Sequence, residues 1–401
     1  MRVLVADEFS TRHLGALSGL GLEVDYRPKL GAAGLVEAAK DASVLVVRST
    51  EVARALFEAA TRLSLVVRAG AGVNTIDVAA ASERGVFVAN CPGQNAIAVA
   101  ELALGLMLAA DRKLPDCVAA ARAGVWDKAR FSKARGLYGR TLGIVGLGAV
   151  GTALAARARA LGMKVAVVSR SLTQAKAEAL GVTPAESLVA LACQADFFSV
   201  HVPGGAATKG FISVEVLAAL RPGSVFVNTS RADVVDGAAV LAEARSGRLF
   251  VATDVFDGEP KGGAAEWKGE LAQLPAVYGT PHIGASTEQA QEAIADEAVR
   301  IVERFLVRGE VPNCVNVARR TPARFQLIVR HLDRVGVLAN VLACLGEAGI
   351  NAQEIDNTVF EGAAAACCKI QVDSRPSDEV LGKIRGRADE IIFVDLVELP
   401  A

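Results

Sequence analysis

The sequence predicts an α/β protein with two doubly wound parallel sheets, followed by a smaller domain whose elements follow the order βαββαβ. Two observations carry this prediction. Short apolar runs alternate with helical segments over the first three quarters of the chain, and from residue 325 onward two helical segments separate four apolar strands. Alternating strands and helices build right-handed βαβ units on a parallel sheet. A chain of 401 residues is long enough for two or three such domains.

The first sheet is predicted from four apolar runs, and the second from six runs that follow the polar segment 128–141. A helix at 96–112 separates the two sets, and a helix at 287–307 is long enough to cross back to the first. The predicted strands are 3–6, 44–47, 65–68 and 86–88 in the first sheet, and 142–145, 164–168, 195–200, 224–228, 249–254 and 276–279 in the second.

The C-terminal region is predicted to be ferredoxin-like because the order βαββαβ is typical of that fold. Segment 320–324, which contains Pro322, indicates a linker before it. The predicted strands are 326–333, 350–356, 364–373 and 391–399, and the predicted helices are 335–349 and 377–388.

Composition and charge argue against several classes of function. Lys and Arg number 43 against 44 Asp and Glu, so the chain lacks the basic excess of a nucleic-acid-binding surface. The N-terminus has no secretory signal pattern, and the apolar segment 96–110 is interrupted by Glu101 and too short to span a membrane. The seven cysteines form no CxxC pair and have no histidine at metal-binding spacing. We expect a cytoplasmic protein with buried free thiols, without metal, membrane or nucleic-acid partners.

A glycine-rich turn, GLGAVG at 146–151, follows the first strand of the second set and opens a helix. In such a turn the first glycine allows the tight bend and the second lets backbone N–H groups approach a pyrophosphate. The third lets helix and strand pack closely. Because GxGxxG alone is weak evidence, the prediction depends on this strand–turn–helix context. The predicted dinucleotide contacts are Gly146, Gly148, Ala149, Val150 and Gly151.

The end of the next strand bears on the choice between NAD and NADP. An acidic residue there would bind the ribose 2′-hydroxyl of NAD, but the sequence has Ser169, Arg170 and Ser171. An arginine between serines can instead bind the 2′-phosphate of NADP. We predict NADP, or use of both cofactors, with Ser169 and Arg170 in contact. The alternative is that Arg170 is a solvated loop residue and does not select the cofactor.

Three polar segments follow successive strands of the second set, where open α/β sheets bind ligands. They contain Arg231, Glu259 and His282. Oxidation of a 2-hydroxy acid requires a base for the hydroxyl proton, and histidine changes charge near neutral pH. A carboxylate on the other ring nitrogen would orient the ring, and an arginine would bind the substrate carboxylate. Each residue alone could be structural, but their joint occurrence after a dinucleotide turn predicts a catalytic group.

Around these residues the chain resembles the D-isomer-specific 2-hydroxyacid dehydrogenases. NTSRADVVD at 228–236, DVFDGEP at 254–260 and TPHIGAST at 280–287 match that family's patterns in the same order, with Ala232 where the family usually has glycine. The resemblance covers roughly residues 1–318 and implies hydride transfer with a nicotinamide cofactor. The further cofactor contacts that it implies are Val202, Thr229, Ser230, Asp254, Gly284 and Ala285.

Loops of the first set resemble the substrate loops of that family at 47–50, 68–74 and 90–95, with Ala71 where some members have threonine. Two arginines on one cleft suit a phosphorylated acid better than a small acid such as lactate, although each alone could be a solvated strand end. The expected substrate is a phosphorylated D-2-hydroxy acid, 3-phosphoglycerate. The implied substrate contacts are Arg48, Ser49, Arg68, Gly70 and Asn95.

Residues 331–338 resemble the first strand and turn of an ACT domain, with Val335 where the usual turn has proline. This resemblance implies pairing between subunits in a homodimer or homotetramer. It also implies an amino-acid effector, L-serine, in contact with His331, Asp333 and Asn351. Asp333 replaces an asparagine found in serine-binding examples, and a module that only oligomerises is the alternative.

The resemblance divides the chain into a discontinuous substrate-binding domain of residues 1–95 and 284–318, a Rossmann-like dinucleotide-binding domain of 96–283, and an ACT regulatory domain of 319–401. Two other functions stay open. A glyoxylate or hydroxypyruvate reductase is favoured by Ser169 and Arg170, because a reducing enzyme often uses NADPH. An NAD(H)-sensing protein similar to a transcriptional corepressor could keep the same three catalytic residues.

Overall fold

The computed structural model of the chain describes residues 1–260, 265–318 and 320–400. They form two compact units, Met1–Asn316 and Val317–Ala401. The first unit contains two parallel sheets and the second contains a four-stranded antiparallel sheet, which confirms the predicted fold class. In the described residues, no helix has the length and apolar character needed to cross a membrane.

The first sheet is built from apolar strands that helices cover on both faces, as expected for a parallel sheet. Its elements are β1 (Arg2–Val5), α1 (Thr11–Gly19), β2 (Glu23–Tyr26), α2 (Gly31–Ala39), β3 (Val44–Val47), α3 (Arg54–Ala59), β4 (Leu65–Arg68), α4 (Val78–Glu83) and β5 (Phe87–Asn90). The strand order is β2-β1-β3-β4-β5. The prediction missed β2, because this edge strand has the sequence EVDY and no buried residue.

The second sheet follows the long helix that the sequence predicts at 96–112. Its elements are α5 (Ala96–Arg112), α6 (Leu114–Arg122), α7 (Lys128–Phe131), β6 (Thr141–Val145), α8 (Ala149–Ala160), β7 (Lys164–Val168), α9 (Gln174–Leu180), β8 (Thr183–Pro184), α10 (Leu188–Gln194), β9 (Phe197–Val200), α11 (Val214–Ala219), β10 (Val225–Asn228), α12 (Gly237–Arg245), β11 (Phe250–Thr253) and β12 (Val277–Gly279), with 3₁₀ turns at Ala232–Val234 and Leu271–Gln273. The strand order is β12-β11-β10-β9-β6-β7-β8. Among the described strands of this sheet, β8 is the one that was not predicted; it has two residues, one of them proline.

Helix α13 (Glu288–Arg308) follows the second sheet and packs against the first. Its residues Ile294, Ala298 and Ile301 lie in one core with Val3 and Val44. Thr287 caps the helix by accepting a hydrogen bond from the Ala290 N–H. The exact limits of the substrate-binding and dinucleotide-binding domains stay predictions.

The second unit has the order predicted for the C-terminal region. Its elements are β13 (Phe325–Leu332), α14 (Val337–Glu347), β14 (Ala352–Val359), β15 (Ala365–Val372), α15 (Asp378–Arg385) and β16 (Ile391–Glu398). The strands follow the spatial order β14-β15-β13-β16, and both helices pack on one face of the sheet.

All seven cysteines are free, but the prediction that they are buried was wrong in part. Cys91 and Cys368 are buried, and burial raises the pKa of the Cys91 thiol to about 12. Cys193 lies in the last turn of α10 and is exposed.

Candidate active site

Loops after the strands of both sheets in the first unit meet around one cleft. Arg231, which follows β10, reaches a loop of the first sheet at Gly72. A methyl group on Gly72 would lie 2.8 Å from Arg231 Nη2. Similarly, a methyl group on Gly93 would lie 3.6 Å from the Cβ atom of Ala149, at the start of α8. The loops 68–74 and 90–95 of the first sheet therefore lie against Arg231 and against the start of α8.

His282 and Glu259 form the hydrogen-bonded pair that the sequence predicts. The distance from His282 Nδ1 to Glu259 Oε1 is 2.5 Å, and Glu259 Oε2 accepts a bond from the Phe256 N–H at 3.0 Å. Burial alone would raise the pKa of Glu259, but the bonds from His282 and Phe256, with the charges of His282 and Arg231, lower it. In the described residues His282 Nε2 has no hydrogen-bond partner, so it is available to a substrate hydroxyl.

The loop that carries His282 is held by Asp254, at the end of β11. Asp254 accepts bonds from the Thr280 hydroxyl at 2.6 Å and from the N–H groups of Ile283 and Gly284, each at 2.8 Å. Its side chain is buried, with the residue 2% exposed. His282 itself has a φ of 55°, a left-handed conformation that costs energy for a non-glycine residue. Asp254 therefore orients the histidine loop, a role that the sequence analysis missed.

Arg231 lies in a tight channel between glycines. A methyl group on Gly204 would lie 2.8 Å from Arg231 Cγ, the same close approach as at Gly72. Arg231 Nη1 donates to the Ser230 carbonyl at 2.6 Å, and Asn228 Nδ2 donates to the Arg231 carbonyl at 2.9 Å. The side chain is thereby directed from the end of β10 towards the loops of the first sheet.

Arg68 occupies the space that a side chain at Gly70 would fill. A methyl group on Gly70 would lie 1.7 Å from Arg68 Nη1. Burial lowers the pKa of Arg68, and the positive charges of Arg231 and Arg48 lower it further. Its Nε atom is buried and has no hydrogen-bond partner in the described residues. Arg68 thus lies close enough to Arg48 and Arg231 for the three positive charges to repel one another.

Arg48 belongs to a loop organised by Asp7, which the sequence analysis did not identify. Asp7 Oδ2 accepts from the N–H groups of Arg48, Ser49 and Thr50 at 2.6, 3.0 and 3.1 Å. Asp7 Oδ1 accepts from the Thr50 hydroxyl at 2.8 Å. Burial opposes ionisation, but these bonds lower the pKa of Asp7. Arg48 Nη1 donates to Gln291 Oε1 at 2.5 Å, which anchors the guanidinium to α13.

The glycine turn fits a dinucleotide. Gly146 has a φ of 92°, and a methyl group there would lie 2.6 Å from the His201 carbonyl oxygen. A methyl group on Gly151 would lie 2.1 Å from the Gly146 carbonyl oxygen in the turn and 3.4 Å from Ile144 Cγ2 in β6, so the helix packs closely on the turn and the strand. Gly148, by contrast, faces open space that a ligand can enter. The buried hydroxyl of Thr229 also has no partner in the described residues, as expected of a group that contacts a cofactor.

Ser169 and Arg170 follow β7 as predicted. The Ser169 and Ser171 hydroxyl oxygens are 3.1 Å apart, and Arg170 is exposed. A second cation, which the sequence analysis missed, lies near the turn: Lys176 Nζ donates to the Leu147 carbonyl at 3.3 Å. A lysine in the first turn of the following helix is the signal that could have identified it.

The remaining predicted residues are partly buried around the same cleft. Val202 Cγ1 would lie 3.0 Å from a methyl group on Gly146. Val150 is in the first turn of α8, and Asn95 immediately precedes α5 without capping it through its side chain. Ala285 follows Gly284 in the loop that Asp254 holds.

The three predicted effector residues do not converge within one chain. His331 pairs with Ala366, whereas Asn351 precedes Ala352, which pairs with Val372. The interval between these two partners on β15 is about 20 Å. His331 is buried, with Nδ1 2.7 Å from the Leu332 carbonyl oxygen and Nε2 3.2 Å from Asn357 Oδ1. Asp333 and Asn351 are exposed.

The sequence matches known proteins over most of its length. Residues 104–284 match the family model of the D-isomer specific 2-hydroxyacid dehydrogenase, NAD binding domain. The D-3-phosphoglycerate dehydrogenase of Methanocaldococcus jannaschii is 36% identical over 368 residues, 91% of this chain and 68% of that protein. The hydroxypyruvate reductase of Thermotoga maritima is 39% identical over 274 residues, 68% of this chain and 87% of that protein.

A solved structure of NAD⁺-bound 3-phosphoglycerate dehydrogenase from Entamoeba histolytica is also similar. It has a TM-score of 0.66 and 28% identity, and it covers 79% of this chain and 99% of its own. The chain spans 58 to 68% of the length of the first D-3-phosphoglycerate dehydrogenases that it matches. The chain therefore belongs to the D-isomer specific 2-hydroxyacid dehydrogenase family.

Proposed function

We propose that this protein oxidises 3-phosphoglycerate to 3-phosphohydroxypyruvate, the step that begins L-serine biosynthesis, as a D-3-phosphoglycerate dehydrogenase. The observation that carries the proposal is the convergence of Arg48, Arg68 and Arg231. Burial and two neighbouring cations lower the pKa of Arg68, so an anion bound beside its guanidinium would stabilise the charged form. A substrate with both a carboxylate and a phosphate supplies two anionic groups to this cleft, whereas a small monoanion supplies one.

In the proposed mechanism the glycine turn at 146–151 would hold a nicotinamide cofactor, and that cofactor would supply the acceptor for the hydride that leaves C2 of the substrate. Arg231 binds the carboxylate and thereby orients C2. His282 Nε2 accepts the proton of the C2 hydroxyl, and Glu259, which is held ionised by its lowered pKa, stabilises the resulting imidazolium. In the reverse direction the same imidazolium returns the proton to the carbonyl oxygen.

The choice of cofactor is part of the proposal, and we infer NADP or the use of both cofactors. Arg170 is exposed, carries no ion pair in the described residues, and follows the strand end where an acid would select NAD. Ser169, Ser171 and Lys176 supply further donors nearby. The test compares kcat/KM for NADH and NADPH in the parent chain and in Arg170→Gln. A large NADH preference in the parent chain would refute this inference, and an unchanged preference in Arg170→Gln would show that Arg170 does not select the cofactor.

The second candidate is a hydroxypyruvate reductase, because the chain covers 87% of the Thermotoga maritima reductase. One assay separates the candidates: turnover with 3-phosphoglycerate, hydroxypyruvate or glyoxylate, each with both cofactors. We expect the highest kcat/KM with the phosphorylated substrate. Arg48→Gln should raise the KM for 3-phosphoglycerate more than that for glyoxylate. Equal effects on the two substrates would contradict the phosphate contact, and no turnover of any substrate would favour an NAD(H)-sensing protein.

For the second unit we propose an L-serine site shared between two copies of the chain in a homodimer or homotetramer. The separation of His331 from Asn351 within one chain supports this arrangement, since a single copy would not bring the two residues to one ligand. Titration calorimetry with L-serine, together with light scattering, tests it. Absence of binding at millimolar serine would refute the effector role and leave a module that only oligomerises.

A further inference from the structure

A cavity of about 200 Å³ lies at the edge of the second sheet opposite the proposed active site. Val225 and Phe250 line it, and they are the first residues of β10 and β11. Arg231 and Asp254, by contrast, follow the ends of the same two strands. A strand of four residues spans about 13 Å, so the cavity is separate from the catalytic cleft.

The lining of this cavity is strongly cationic. Its basic residues come from the end of α5 and from the polar segment 128–141, to which the proposed function assigns no role. The charged lining residues are Asp111, Arg112, Lys113, Arg130, Lys133, Arg135 and Arg140. Six positive groups around one small space repel one another, and an anion in the cavity would relieve that repulsion.

In the described residues, carboxylates form ion pairs with two of the six cations, Arg135 and Arg140. Asp111 accepts a bond from Arg140 Nη1 at 2.7 Å, and Asp196 lies 3.3 Å from Arg135 Nη2 and 3.4 Å from Arg140 Nε. In the described part of the chain the other four cations have no ion pair. They are Arg112, Lys113, Arg130 and Lys133.

The buried side chain of Arg140 forms one side of the cavity and is held in place by its neighbours. Its side chain is 9% exposed, and its guanidinium lies over the Phe197 ring, 4.3 Å from the centroid. Despite this burial, Arg140 Nε has no partner with hydrogen-bond geometry among the described residues. Asp196 Oδ1 lies 3.4 Å from this nitrogen, so the carboxylate offsets its charge without forming a hydrogen bond of normal geometry. The cavity thus combines a preorganised buried arginine with unpaired cations around it.

We propose that this cavity binds a small phosphate-bearing anion with more than one negative charge, such as pyrophosphate or a phosphate ester. Guanidinium groups bind phosphate oxygens in a bidentate manner, and lysine ammonium groups add charge without fixed geometry. The cavity volume of about 200 Å³ is sufficient for one or two phosphate groups. The site is distinct from the substrate phosphate contact proposed for Arg48.

The test is titration calorimetry with inorganic pyrophosphate in a buffer without divalent cations, on the chain saturated with NADH. Because the catalytic cleft is also cationic, two variants separate the sites: Arg130→Gln/Lys133→Gln for the cavity and Arg48→Gln for the cleft. Arg62→Gln removes an exposed cation elsewhere on the first unit and controls for overall charge. Thermal melting verifies that each variant is folded.

We expect a binding event that the double variant weakens at least tenfold and that Arg48→Gln and Arg62→Gln retain. Lys113→Gln, a single change at the end of α5, should weaken the same event by a smaller factor. The proposal is overturned if the double variant binds pyrophosphate as the parent chain does, or if Arg48→Gln alone abolishes binding. An equal loss in Arg62→Gln would also overturn it, since that would indicate attraction by net charge only.

Discussion

The two parallel sheets of the first unit use the same device to hold a functional loop. In each sheet an aspartate that follows one strand accepts hydrogen bonds from the loop after the neighbouring strand. Asp7 accepts three backbone N–H groups and a threonine hydroxyl from 48–50, and Asp254 accepts two N–H groups and a threonine hydroxyl from 280–284. Because each aspartate carboxylate satisfies backbone N–H donors of its loop, the loop holds its conformation without forming a helix or strand.

The difference lies in burial and in the residue that each loop presents. Asp254 is 2% exposed and its loop presents His282, whereas Asp7 is only partly buried and its loop presents Arg48. A proton transfer depends steeply on atomic position, while an ionic contact with a phosphate tolerates small shifts. We therefore expect the second sheet to control the rate of the reaction and the first sheet to control substrate affinity.

The largest effect is expected for the residue that the second sheet presents. His282→Ala removes the proposed base, so kcat should fall by about 10²–10⁴-fold, while KM for the phosphorylated substrate changes little. Steady-state kinetics with a folded, NADH-binding variant provide the measurement. An unchanged kcat would eliminate His282 as the base.

Asp254→Asn tests whether the buried carboxylate controls the rate. The amide places one NH₂ group against backbone N–H donors, so the histidine loop should shift. We expect kcat to fall by about 10–100-fold and the free energy of unfolding to fall by about 1–3 kcal/mol. Kinetics and chemical denaturation measure the two effects. A loss of stability with unchanged kcat would mean that the loop position does not matter to the chemistry.

Asp7→Asn is the matched change in the first sheet, and it should raise KM by about tenfold with kcat nearly unchanged.

Asp7→Asn should also lower the free energy of unfolding in a pH-dependent way. The pKa of folded Asp7 lies below its ordinary value of 3.8, so the carboxylate stabilises the fold above that pH. This contribution is lost as the pH falls through the lower folded value. Denaturation at pH 7 and at pH 3 should therefore show a larger difference between variant and parent at pH 7. If Asp7→Asn lowered kcat as much as Asp254→Asn does, the expectation that the first sheet controls only substrate affinity would be wrong.

The two loops held by aspartates also show which features of the fold and site can be predicted from the sequence. Local patterns predicted the continuous apolar strands, the glycine turn and the three catalytic candidates, because each depends on neighbouring residues. They did not predict that Asp7 binds 48–50, since that contact joins residues more than 40 positions apart. The family resemblance places Asp254 near the cofactor, which stays a prediction, but a strand-end acid does not reveal which loop will donate hydrogen bonds to it. The edge strand β2 was not predicted because Glu23–Tyr26 has no buried residue and therefore no apolar pattern.

The smallest effect is expected for Glu259→Gln, which separates two ways of orienting His282. Asp254 fixes the backbone of the loop, whereas Glu259 contacts the ring itself at 2.5 Å. The amide oxygen of glutamine can still accept the Nδ1 hydrogen, so orientation should survive and only the counter-charge is lost. We expect kcat/KM to fall by about tenfold or less, with the acid limb of its pH profile moved to lower pH because the imidazolium is less stabilised. Asp257→Asn, an exposed neighbour, is the matched control. If Glu259→Gln and Asp257→Asn shift the pH profile of kcat/KM equally, the shift reflects the loss of one negative charge near the site. Contact between Glu259 and the His282 ring would then have no separate effect.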